Sequence, residues 1–183
     1  MKYYILYICV VIISAVTRTC STFSSNEFEI PPAISSPIVD TLSHVYDSAH
    51  SAAVDLRLTD FVDLADTGFW NRLEVLSRRY GFNSVQSYLG QQAFYWPDID
   101  TLVITEIRES GDYARLTGMG AGRQSWQYPA RIHYTFILFH HTEDGWMLAG
   151  LTNLAKNQRD SYGYAVTYSE MELPPELRFP REF

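Results

Sequence analysis

Apolar and polar positions change period halfway along this chain. From Ile38 the spacing is helical: Ile38, Leu42, Val45 and Ala49 recur at intervals of four, three and four, and Tyr46 and Ala53 widen the stripe. "LTDFVDLAD" predicts a second, shorter helix, with Thr59 as N-cap and Asp60 in a first turn where a carboxylate suits the exposed amide dipoles. In "DTGFWNRLEVLSRRYG" Thr67 is the expected cap, Phe69, Leu73, Leu76 and Tyr80 form the apolar face, and Gly81 is the stop. "NSVQSYL" ends the helical half, with Asn83 and Gln86 as a reciprocal cap. Past residue 100 the period falls to two. "TLVITEIRES", "DYARLTGMG", "ARIHYTFILFHH" and "GWMLAGLTNL" are rich in β-branched and aromatic residues, with "SGD" and "TEDG" as turns between them. "YGYAVTYSE" predicts a further edge strand, and "LPPELRFPREF" a Pro-interrupted tail that cannot pair within a sheet. Helices first and antiparallel strands after them predict an α+β domain over 38–170, its helices packed on one face of a curved antiparallel sheet, with a tail over 171–183.

The first twenty residues do not fit that body. Lys2 precedes an almost unbroken apolar run of fourteen residues, Tyr3 to Val16, too short for the roughly 20 residues of a membrane span. An export signal or an N-terminal anchor is expected over 1–20, followed by a Ser/Pro-rich linker over 21–37. Both cysteines, Cys9 and Cys20, lie in that first segment, so no disulfide can staple the body. Cys20 also invites a lipidated bacterial N-terminus, although the preceding "VTRT" suits such a site poorly. The chain has no Asn-x-Ser/Thr sequon, which leans towards a bacterial periplasm or cell envelope.

Charge removes one class of partner. The whole chain carries −7; without Lys2 and Arg18 the remainder has 12 basic and 21 acidic residues, or −9. Its basic residues are scattered. Such a surface repels phosphate backbones and anionic lipid, so no nucleic acid is expected, and a membrane only through the N-terminal segment.

Three segments carry a family resemblance: "SAAVDLRLTDFVDLAD" at the end of the first helix, "DYARLTGMG" in mid-sheet, and the hairpin "IHYTFILFHHTEDGWMLAGLTN" with its acidic-Gly turn and Trp. Together they resemble the NTF2-like (SnoaL-like, cystatin-like α+β) superfamily over about Ile38 to Lys156. The resemblance implies a sheet curled into a cone, helices closing its wide end over an apolar pocket, and frequent dimers through the sheet. It leaves function open, because that fold hosts dehydratases, isomerases, cyclases, envelope-complex subunits and binding domains.

Strand alternation then places the candidate chemistry. In 130–140 the even set, Ala130, Ile132, Tyr134, Phe136, Leu138 and His140, is the more apolar and is expected to face the helices. His133 falls on the other face, and His140 and His141 at the rim before the turn. Adjacent strand residues point apart, so His140 and His141 cannot easily share an ion; no metal and no cofactor is expected. Tyr46, Trp70 and Tyr134 are the expected ligand-binding residues of a pocket. Asp60 and Asp63 read as helix-surface carboxylates. "GMGAGRQSW" lacks the Lys-Ser/Thr ending of a phosphate loop and reads as a connection. The expected function is an exported, non-enzymatic domain binding a small apolar ligand or a protein partner. The alternatives are a SnoaL-type dehydratase, isomerase or cyclase using Tyr46, Tyr134 or Asp63, and a membrane-anchored subunit of an envelope assembly. Partner binding would show as an exposed apolar patch around Ile137 and Phe139.

Overall fold

The computed structural model describes residues 32–121, 132–155 and 173–178. All belong to Pro31–Phe183, one of two compact units; the other, Met1–Ile30, lies outside the described residues with the expected export segment. So do "YGYAVTYSE" and residues 122–126 of the glycine-rich connection. The architecture is α+β. Four helices, α1 (Pro37–Val54), α2 (Leu58–Leu64), α3 (Thr67–Arg79) and α4 (Val85–Ala93), precede four strands, β1 (Val103–Ser110), β2 (Tyr113–Ala121), β3 (Ile132–Thr142) and β4 (Gly145–Ala155). The strands form one open antiparallel sheet in the order β1-β2-β3-β4. Among the described residues no helix is long and apolar enough to cross a membrane.

Local chemistry explains the helix ends, and in places corrects the sequence reading. Ser36 caps α1, its hydroxyl accepting from Val39 N–H, with Pro37 at the first helical position where a missing N–H costs nothing. Helix α2 starts at Leu58 without a side-chain cap, so Thr59 is not its N-cap. Asp66, not Thr67, caps α3, accepting from Gly68 N–H at 2.8 Å and Phe69 N–H at 3.4 Å. Carboxylates and hydroxyls are both good caps; the chain enters the helix one residue earlier than the Thr reading requires. Ser84 caps α4 through Ser87 N–H, and Gln86 instead donates to Leu56 O, which replaces the expected Asn83–Gln86 pair. Gly81 does stop α3: at φ +75° it lets Phe82 N–H reach Ser77 O and its own N–H reach Arg78 O, satisfying two terminal carbonyls. Tyr80, expected on the buried face, points outward.

The main core lies between the helices and one face of the sheet. Leu42, Tyr46, Phe61, Phe69, Leu73 and Leu89 meet Leu116, Ile137, Phe139, Leu148 and Leu151 there. This inverts the expected strand facing. The odd residues Ile137 and Phe139 face the helices and are fully buried, so they form no exposed patch. The even residues Phe136 and Leu138 face the opposite side and are buried as well, in a second cluster with Ala149 and Leu173. The physical reason is that β3 is covered on both faces, and a strand covered twice reads as one apolar run in which alternation carries no direction.

Two bulges add to this. The β1–β2 register shifts between Ile104 and Glu106, and the β3–β4 register between Leu138 and Phe139. Each inserts a residue and locally increases the twist. Ile104 with Ile107, and Leu148 with Leu151, therefore all join the helix-side core at spacings of three.

Candidate functional site

The helix-side layer holds a connected row of aromatic rings. Tyr46 stacks on His50 at 5.8 Å, His50 meets Trp96 at 6.2 Å, Trp96 meets Phe61 at 6.3 Å, and Phe61 meets Trp70 at 6.4 Å. Helix α1 supplies the first two on one face, four residues apart, α2 and α3 supply Phe61 and Trp70, and Trp96 follows the end of α4. Tyr46 Oη–H donates to Pro97 O at 2.8 Å. Burial raises the Tyr46 hydroxyl far above the usual phenol range, with Asp98 and Asp47 adding to the shift, so it stays a donor. His50, 4 % exposed, donates from Nε2 to Ala93 O at 3.2 Å, while its Nδ1 lies 3.7 Å from Asp98 Oδ1.

Two buried polar atoms in and just after α4 have no partner. Trp96 Nε1 and Gln92 Oε1 are both buried and make no hydrogen bond, in residues only 1 % and 5 % exposed. One is an obligate donor and the other an acceptor. Each unpaired buried group of this kind costs roughly 1–3 kcal/mol, so a folded protein normally satisfies it. Neither residue stood out in the sequence, where Gln92 and Trp96 sit in "GQQAFYW" without motif or period.

The expected ligand residues do not converge as a trio. Tyr46 and Trp70 flank the same aromatic row, whereas Tyr134 packs against the cluster on the opposite face of the sheet. Asp60 is exposed and ion-paired with Arg57, and Asp63 is exposed on α2. The side chain of His133 lies outside the described residues; its backbone pairs with Gly120 and Ala155.

At the rim, His140 has a partner that sequence reasoning missed. Its Nδ1 lies 2.9 Å from Asp66 Oδ2, and its ring stacks on Tyr113 at 4.4 Å with 8° between planes. Asp66 caps α3 with its other oxygen, and its backbone N–H donates to Leu148 O on the edge of β4. One residue thus fixes a helix start and an imidazole through its carboxylate and a strand edge through its backbone N–H. His141 points to the other side, where its ring meets Trp146 edge-on at 4.8 Å. Among the described residues no three His, Cys, Asp or Glu side chains come together as a metal site.

No family model, no curated protein and no solved structure matches this chain. The NTF2-like resemblance therefore rests on the three quoted segments and on the order of elements.

Proposed function

We propose that this is an exported NTF2-like domain that binds a small, largely apolar molecule between its helices and its sheet. The cone-shaped curvature, the periplasmic or cell-envelope location and a partner in that compartment belong to the same proposal. One observation carries it: a buried donor, Trp96 Nε1, sits unpaired in the aromatic row with Tyr46, Phe61 and Trp70, and a buried acceptor, Gln92 Oε1, is unpaired four residues before it near the end of α4. Aromatic walls with a few fixed polar groups are what small-molecule sites use to bind and orient a guest. A guest with one acceptor and one donor would satisfy both groups.

Native mass spectrometry of protein purified from its own host reads the guest directly. Two variants give the complementary measurement. Gln92→Leu replaces the unpaired amide with an apolar group of similar size, and Trp96→Phe removes the unpaired N–H together with part of a buried ring. In guest-free protein Gln92→Leu should leave stability unchanged or raise it by about 1 kcal/mol, Trp96→Phe should lower it by about 1–3 kcal/mol through the cavity, and both should abolish retention of the co-purifying molecule. If Gln92→Leu loses stability and no molecule is retained by the wild type, the polar atoms are satisfied by water and the reading fails.

The His140–Asp66 pair favours one second reading, an acid–base enzyme. A carboxylate on Nδ1 orients an imidazole so that Nε2 can exchange a proton with a bound molecule, provided that atom is reached. This reading places the chemistry at the rim, away from Tyr46 and Tyr134. It expects His140→Gln to abolish turnover of any substrate found while leaving guest binding in the aromatic layer intact. Equal turnover in the variant removes it.

A further inference from the structure

The sheet face opposite the helices is covered by the chain's own residues 173–178. Leu173 is buried with Phe136, Leu138 and Ala149, and the turn Pro175–Leu177 lies on β1 and β2 with Leu177 fully buried. Three polar contacts hold it. Ser110 Oγ–H donates to Glu176 Oε1 at 2.7 Å, Arg115 Nη1 donates to Arg178 O, and Arg178 Nε donates to Leu173 O at 3.1 Å, closing the segment on itself. Arg115 is only 4 % exposed; it lies over the Phe136 ring at 5.4 Å and reaches Glu106 Oε2 at 3.3 Å.

This arrangement differs from an added strand, because its contacts are buried leucines and single hydrogen bonds to side chains of the sheet. It is the way a folded surface reads a short peptide: an apolar seat, a guanidinium on a main-chain carbonyl, and a hydroxyl on a carboxylate. Seventeen residues, 156–172, separate it in sequence from the end of β4.

We infer that the outer sheet face around Arg115, Phe136 and Leu138 is a peptide-binding surface, and that residues 173–178 are its intramolecular occupant. The partner it fits is a protein segment with two leucines four residues apart and a glutamate just before the second, as in Leu173-Pro-Pro-Glu-Leu-Arg178. The tether keeps the resident copy at a high local concentration, so an external segment competes only when its own affinity or abundance is high. The site is distinct from the helix-side aromatic row and independent of any guest bound there.

The probe is a fluorescein-labelled peptide of sequence Leu-Pro-Pro-Glu-Leu-Arg, titrated against the full chain. Wild type should bind it weakly. Leu177→Asp, which unseats the resident segment, should bind at least about tenfold more tightly, and adding Arg115→Met should remove that gain. An unchanged affinity in a Leu177→Asp protein that keeps native circular dichroism overturns the inference. Hydrogen exchange on wild type gives a readout that needs no variant. Saturating unlabelled peptide should accelerate exchange of the Leu177 amide, which bonds to Pro174 O, and leave the β2 amides unchanged. Exchange at Leu177 that ignores the peptide also overturns it.

Discussion

At the residue scale Asp66 does the most with one side chain. It caps α3, ties the helix entry to β4 through its backbone and orients His140. These roles separate by substitution. Asp66→Asn keeps a good cap and loses only the charge facing His140, whereas Asp66→Ala loses both. Thermal or urea unfolding should show Asp66→Ala destabilised by about 1–2 kcal/mol and Asp66→Asn by less than half of that. Equal losses would mean that the histidine contact, not the cap, carries the energy. Leu56 makes the opposite kind of statement. It sits at φ +58°, where glycine normally ends a helix, and its side chain fills the notch left by Gly90, where any Cβ would come within 2.5 Å of Leu56 Cδ2. A packing contact offsets a strained backbone there.

At the element scale the 173–178 segment has a pH dependence with a definite sign. The Ser110 hydroxyl, then its own backbone N–H, hold the Glu176 carboxyl below the ordinary glutamate value of 4.5. Burial pushes the neighbouring Glu106 upward, but hydrogen bonds from Arg108 and Thr117 and the charges of Arg108 and Arg115 outweigh it and hold that carboxyl low too. These partners all lie in the sheet, so this share stabilises the sheet and not the docked segment. A folded value below the unfolded one stabilises the docked state above the ordinary value and loses that stabilisation as pH falls through the lowered one. Limited proteolysis of residues 173–178 should therefore accelerate below about pH 4.5 while the helix–sheet core stays resistant; a rate flat from pH 7 to 3.5 would show that the leucines alone hold the segment.

The same elements show what the sequence discloses. The order of four helices and four strands was legible because each has its own period and its own stop: Gly81, "SGD", "TEDG". The facing of β3 was not. Its second cover comes from Leu173, far along the chain and after two prolines, and no local pattern announces that pairing. The helix-side row was half legible, through Tyr46 and Trp70. Gln92 and Trp96 became conspicuous only as unpaired atoms, which is a property of three-dimensional surroundings and has no trace in spacing. The partner of His140 is hidden in the sequence for a similar reason: Asp66 lies 74 positions away.

At the scale of the whole molecule, both faces of the sheet are occupied by its own chain, the helices on one side and residues 173–178 on the other. A homodimer through the sheet, which the family resemblance implies, would have to displace that segment or use what it leaves uncovered. The two outermost strands are also answered. Ile34 N–H donates to Ile104 O on β1 at 2.8 Å, and Asp66 N–H donates to Leu148 O on β4 at 2.9 Å. Each bond comes beside a bulge, where a straight incoming strand would lose register. A neighbour seeking to extend the ladder finds its first rungs taken and the rail bent. Strand addition is thus hindered at the point on each edge where the bond and the bulge coincide.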